Sequence, residues 1–326
     1  QAVEQGQPIL LGSEPRWVEH HPARDQAAVC TAQMDVVLIN TVTRQIETVL
    51  KRPRDEENGF DLFPRHAENQ QLAWSPDGES IVVWSDNNPG VYVWDIARRQ
   101  LRFPRIDNNG WPVVCAEFSP DSSQLVITGG RNCVVRVVDA VTGELSNKTL
   151  FHTAPTYTAR FSREGDRIVT TCRDGKARVF DWRTGACLLN DLHHDADVVD
   201  AVFTPDSRHV VSIALDGKLK VWDADDGLIA GRPIAIPRNA RTVQVTANGR
   251  YAVIGGDLEA ISVVDLKLGG DGTDQSFTIE KMQTISQLLS NQRIRAGRAN
   301  KIATDQWFEL WQSSTEARGS GYRGGR

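Results

Sequence analysis

His194, Ser212 and Asp216 are the residues that most invite a chemical reading. A histidine that can reach both a hydroxyl and a carboxylate could activate the hydroxyl as a nucleophile for acyl transfer. His152, Thr170 and Asp174 present a similar set, each member 42 residues before its counterpart. A hydrolase needs one nucleophile. A set that recurs at a fixed interval suits a buried polar chain, which stabilises a fold when every member has a partner.

Other tempting motifs fail on their surroundings. The stretch "GSGYRG" (319–324) spells G-x-G-x-x-G, but it follows no strand pattern and opens no helix. The nucleotide-binding mechanism needs a strand–turn–helix to aim backbone amides at a pyrophosphate. The pairs His20-His21 and His193-His194 have no Cys or carboxylate beside them at ligand spacing. The five cysteines are scattered, with no C-x-x-C, so they suggest neither a zinc site nor a disulfide framework. No catalytic, cofactor or metal residue is expected.

The elements that carry these residues repeat. An apolar-Asp pair recurs at Trp94-Asp95, Val138-Asp139, Phe180-Asp181, Trp222-Asp223 and Val264-Asp265. The aspartates are 44, 42, 42 and 42 residues apart. Upstream of the first four stand "WSPDG", "FSPDS", "FSREG" and "FTPDS". Gly143, Gly185 and Gly227 each follow an Asp by four residues. One unit reads as three clear strands, "VVDAVF" (198–203), "HVVSIA" (209–214) and "KLKVWD" (218–223). The turns "TPDSR" and "LDG" separate them, and "LIAGRPI" follows as a weaker fourth strand. Four antiparallel strands per 40–45 residues is the signature of a β-propeller blade.

The units resemble WD40 repeats. The resemblance implies a hydrogen-bonded tetrad of His194, Ser212, Asp216 and Trp222 inside one blade. It implies a partial set of His152, Thr170 and Asp174 with Phe180 in the preceding one. The unit before that has Thr128 but Asn132 and Val138, and the one earlier still puts Trp84 at the hydroxyl position. Those two are expected to depend on apolar packing.

The fold class expected is all-β, a WD40-type propeller spanning residues 1–275. Six blade units are visible, the first being a degenerate one containing "VVLIN" (36–40). "QGQPILL" (5–11) reads as an orphan outer strand. This points to seven blades in a longer chain, or to six closed by residues 1–11. The first methionine is Met34, which suggests a fragment. Residues 276–313 are expected to form a helical extension, with Ile279, Met282, Ile285, Leu288 and Leu289 at helical spacing. Residues 314–326 read as a disordered Gly/Arg tail. "LLSNQRI" and a late Trp resemble the tail of some bacterial WD-repeat proteins, certain of which carry an upstream Ser/Thr kinase domain.

The net charge of −5 argues against a nucleic-acid binder driven by bulk charge. No apolar run approaches the ~18–20 residues of a membrane span. The expectation is a non-catalytic, cytoplasmic scaffold for a protein or peptide partner. The alternatives are a regulatory domain of a larger signalling protein and a propeller-fold enzyme. The family face expected to bind holds Arg131, Arg173, Leu215 and the insertion 51–66, with Arg54, Phe60 and Phe63. The channel-facing strands "QLAW", "CAEF", "TARF" and "DAVF" show no recurring carboxylate or His, and Glu117 and Arg160 fit no metal pattern.

Overall fold

The computed structural model describes residues 9–51, 70–86, 89–129, 131, 133–256 and 262–266. Among them are six antiparallel sheets, numbered here as blades 1 to 6 in chain order. The first strands of the blades are Pro15–His20, Gln70–Trp74, Val113–Phe118, Thr156–Phe161, Val198–Phe203 and Ala240–Val245. From blade 1 to blade 5, each lies beside the first strand of the next blade, and all six border a central cavity. The architecture is a β-propeller. The three strands read from "VVDAVF", "HVVSIA" and "KLKVWD" occupy Val198–Phe203, His209–Ala214 and Lys218–Asp223.

The turns explain the sequence landmarks. The hydroxyl of Ser75, Ser119, Thr204 or Thr246 donates to the Asp or Asn two residues on. It also accepts the amide five residues on. A side chain thereby satisfies backbone groups that the hairpin leaves open. Asp139, Asp181 and Asp223 accept amides two and three residues on. Gly143, Gly185 and Gly227 then close each turn in the left-handed region, where only glycine sits without strain.

Packing joins the blades face to face. Second strands are almost continuous runs of β-branched and aliphatic residues, as strands buried on both faces must be. Val126, Val135 and Val137 pack on Ala159 and Ile168 of the following blade. Val211, Ile213 and Leu219 pack on Val243, Ala252 and Ile254. Fully burying one such side chain contributes roughly 1.5–3 kcal/mol.

Outer strands are the weak parts. In blade 2 the outer chain pairs only at Gln100–Leu101 and again at Ile106–Asp107. Pro104 lies between and has no N–H to donate. The outer strand expected at "LIAGRPI" reduces to Ile234–Ala235 and one bridge from Trp222 to Ile229, with Gly231 and Pro233 interrupting it. Blade 6 has three strands among the described residues. Ile9 and Leu11, from the expected orphan strand, pack on Val29, Val37 and Ile39 of blade 1. The expected C-terminal helices and Gly/Arg tail lie outside the described residues, as does the insertion from residue 52 onward.

Candidate functional site

The cavity has a volume of about 1080 Å³ and runs between the first strands. Side chains reach it from two levels, because alternate residues of a strand share a face. Glu19, Ala73, Glu117, Arg160 and Gln244 stand one residue before the end of their strands. Trp17, Gln71, Cys115, Thr158 and Thr242 stand two residues earlier still.

Charge is concentrated on this wall. Arg160 bonds Asp200 of the next blade twice, each contact 3.1 Å, and its Nη1 lies 3.6 Å from Glu117 of the blade before. Asp200 also accepts from the Thr242 hydroxyl and the Val243 amide, both 3.0 Å away in blade 6. One ladder of charge therefore ties blades 3 to 6 together. Burial alone would pull Arg160 down, but Asp200 and Glu117 outweigh it and hold the guanidinium more firmly charged. Burial pushes the Glu117 carboxyl up and the Cys115 thiol up to about 11. Burial also pushes Glu19 up to about 8, opposed by the Trp74 amide and reinforced by the charge of Glu117. Reading the strands singly shows no pattern. The ladder appears only when two positions of each first strand are aligned across blades, the one that holds Glu117 and Arg160 and the one two residues earlier that holds Asp200 and Thr242.

The mouths differ. At one, the chain turns from second to third strand and enters each first strand. Five first strands bulge there, which leaves Arg16, Val114, Tyr157, Val199 and Arg241 without a register partner. A bulge re-aims a side chain, and Val114, Tyr157, Val199 and Arg241 line this mouth. Arg173 and Leu215 join them from their turns. Asp197 accepts from the Tyr157 hydroxyl at 2.9 Å and from Arg173 Nε at 3.3 Å. Arg131 is exposed in the equivalent turn and does not line the cavity. Arg54, Phe60 and Phe63 lie outside the described residues. At the other mouth the first-to-second-strand turns bring Pro76, Pro120, Ser162 and Arg163 to the rim.

The His-Ser-Asp set lies away from the cavity, inside blade 5. His194 Nδ1 is 3.1 Å from Asp216 Oδ2, and Nε2 is 2.8 Å from Ser212 Oγ. Trp222 Nε1 donates to the same hydroxyl at 2.8 Å. Both His194 and Ser212 are buried. The hydroxyl is held by two neighbours and does not line the channel, and the arrangement ties the histidine, the turn and the third strand together within the blade. This four-membered chain sits within a unit that recurs every 42 residues around a channel. Residues 105–223 carry three WD40 repeats.

The family model described as "WD domain, G-beta repeat" matches residues 105–139, 145–181 and 185–223. A curated relative, an uncharacterized WD repeat-containing protein of Synechocystis, is 25% identical over 143 residues. That match covers 44% of this chain and 37% of the relative, so the chain spans well under half of that protein. The computationally designed Ika8 protein has a similar fold, with a TM-score of 0.60 at 18% identity over 77% of this chain and 71% of that one.

The WD40 repeat of blade 4 differs from that of blade 5. Phe180 has no N–H to offer Thr170, whose hydroxyl instead lies 3.4 Å from the Arg178 carbonyl. Asp174 is taken by Arg178 at 2.6 Å and by the Thr153 hydroxyl at 2.6 Å. Neither ring nitrogen of His152 has a hydrogen-bond partner among the described residues, and the ring meets Phe180 edge-on at 5.4 Å. His152, Thr170, Asp174 and Phe180 are neighbours without forming one chain. Arg178, at the third-strand position that carries Lys220 in blade 5, draws the Asp away. In blade 2, Trp84 uses its Nε1 to reach the Val114 carbonyl of blade 3, 3.3 Å away.

Proposed function

We propose that this chain is a non-catalytic platform for a protein or peptide partner, and that the partner binds the mouth bearing Tyr157, Arg173 and Leu215. WD40 repeats generally mediate protein–protein interaction and are typically non-catalytic. The observation that carries the proposal is the bulge series. Blades 3 to 6 each carry a register shift at this mouth, with Tyr157, Val199 and Arg241 on one rim. Tyr and Arg supply large contact area and directional bonds, and such residues often dominate binding energy. Arg173 is 58% exposed at its side chain although it contacts Asp197, so it is open to a partner.

The test compares affinity capture from host extract by the wild type, by Arg173→Glu with Leu215→Asp, and by Arg208→Glu on the opposite face. A partner retained by the wild type and Arg208→Glu but lost from the double variant supports the proposal. Equal capture by all three, with melting midpoints unchanged, rejects this mouth as the docking face.

A further inference from the structure

We propose that the channel binds a cationic side chain, a lysine ammonium or an arginine guanidinium presented by a peptide, in the gap between Glu19 and Glu117. Access is from the mouth rimmed by Pro76 and Pro120, opposite to the docking face proposed above. The two readings stand or fall separately.

The geometry comes from one level of the wall. Going round from blade 1 to blade 6, the residue before the strand end is Glu19, Ala73, Glu117, Arg160, Val202 and Gln244. Ala73 is the smallest of these and lies between two carboxyl groups, so space opens beside both. The charges on the other side are already matched. Arg160 and Asp200 hold each other by two bonds, while Glu117 has the third guanidinium nitrogen, 3.6 Å away, and the Phe161 amide, 3.3 Å from its Oε1. Glu19 receives the Trp74 amide, and no cation or side-chain donor bonds it among the described residues. The wall thus carries more carboxyl groups than cations at this level, in a cavity large enough for an extended side chain. Trp17 and Gln71 line the same stretch. An indole face suits an aliphatic stem or a cation, and an amide oxygen can accept from its N–H groups. Arg163, the cation nearest this rim, already donates to the Pro205 carbonyl at 3.3 Å.

The inference can be tested by calorimetric titration with three blocked tripeptides, glycine-lysine-glycine, glycine-arginine-glycine and the uncharged glycine-norleucine-glycine. Binding of the lysine or arginine peptide, with none by the norleucine peptide, is the expected result. Glu19→Gln and Glu117→Gln should each weaken it by about tenfold or more, the scale of losing one partner of a desolvated charge pair. The charged group that acts on Glu19 is Glu117, which itself faces Arg160 and Asp200. Because Glu19 is held to about 8, binding near neutral pH should also release protons, seen as an apparent heat that changes with the buffer.

Ala73→Lys guards against a variant that merely misfolds. It supplies the cation within the chain, so it should block the peptides while raising the melting midpoint. Absence of binding by either charged peptide to the wild type overturns the proposal. So does binding that the Glu19, Glu117 and Ala73 variants leave unchanged.

Discussion

Arg160 holds Asp200 with two parallel bonds, Nε to Oδ1 and Nη2 to Oδ2, across the boundary between blades 4 and 5. The planar guanidinium fork matches a carboxylate in this geometry, and a lysine could not. Asp200 is fully buried and also bonds Thr242 and Val243 of blade 6. A single carboxylate therefore fixes the relative positions of three blades.

Arg160→Met should be strongly destabilising, because it leaves Asp200 buried with no cation. Breaking one side of a buried pair costs roughly 3–5 kcal/mol. Urea unfolding would measure this, and a loss below about 1 kcal/mol would mean that the ladder matters little. Arg160→Met combined with Asp200→Leu should recover much of the loss, since apolar replacement of a whole buried pair is often close to neutral.

Ser212→Ala should cost about 1–3 kcal/mol. It removes the shared partner of two buried groups, His194 Nε2 and Trp222 Nε1. Asp216→Ala should cost a similar amount by freeing His194 Nδ1. The equivalent change in blade 4, Thr170→Ala, should cost less, because Thr170 makes only one long bond to a carbonyl. Thermal melting of the three variants gives the ranking, and an equal loss from Ser212→Ala and Thr170→Ala would contradict it.

The blades were legible in the sequence because their turns demand particular residues. A hydroxyl and an Asp or Asn two residues apart, and a Gly four residues after a capping Asp, are chemical needs of hairpins and can be read one at a time. The tetrad residues of blade 5 were legible for the same reason. Blade 4 departs from the expected partial tetrad because Arg178 competes for Asp174, and a competitor two residues before Phe180 on the same strand leaves no mark at the tetrad positions. The channel ladder was missed because its members belong to different blades. Glu117, Arg160 and Asp200 lie about 40 residues apart and two strand phases are mixed, so no single window shows them together. The bulges at Tyr157 and Arg241 were hidden for a related reason, since a register slip is a property of the strand pair.

Cys133 sits where Gly175 and Gly217 sit in the next two blades, and all three have positive φ, 55°, 79° and 78°. The left-handed region costs a residue with a Cβ about 1–2 kcal/mol. Cys133→Gly should relieve that, less the glycine's extra unfolded entropy of about 0.5–1 kcal/mol. The net expectation is a rise of up to about 1 kcal/mol in unfolding free energy. The reverse experiment is sharper. An added Cβ at Gly175 would lie 2.9 Å from the His194 carbonyl oxygen, so Gly175→Ala should destabilise through both strain and collision. Opposite signs for the two variants in one denaturation series are the result to look for, and a loss from both would refute the comparison.

Stability should vary with pH through two opposed effects. Burial holds His194 and His152 at about 4, below the ordinary 6.5. Between those values the unfolded chain takes up protons that the fold refuses, so the stability present above 6.5 is lost as pH falls towards 4. Glu19 acts the other way. Held at about 8 against an ordinary 4.5, it keeps a proton that the unfolded chain releases, so the stability present below 4.5 is lost as pH rises towards 8. His152→Leu should flatten part of the acid limb without breaking a hydrogen bond, because neither of its ring nitrogens has a partner among the described residues. Glu19→Gln should flatten the neutral limb and leave the acid one intact. Melting midpoints taken between about pH 4 and pH 8 separate the two limbs. If Glu19→Gln tracks the wild type across the upper half of that range, the channel carboxyl is already ionised in the fold.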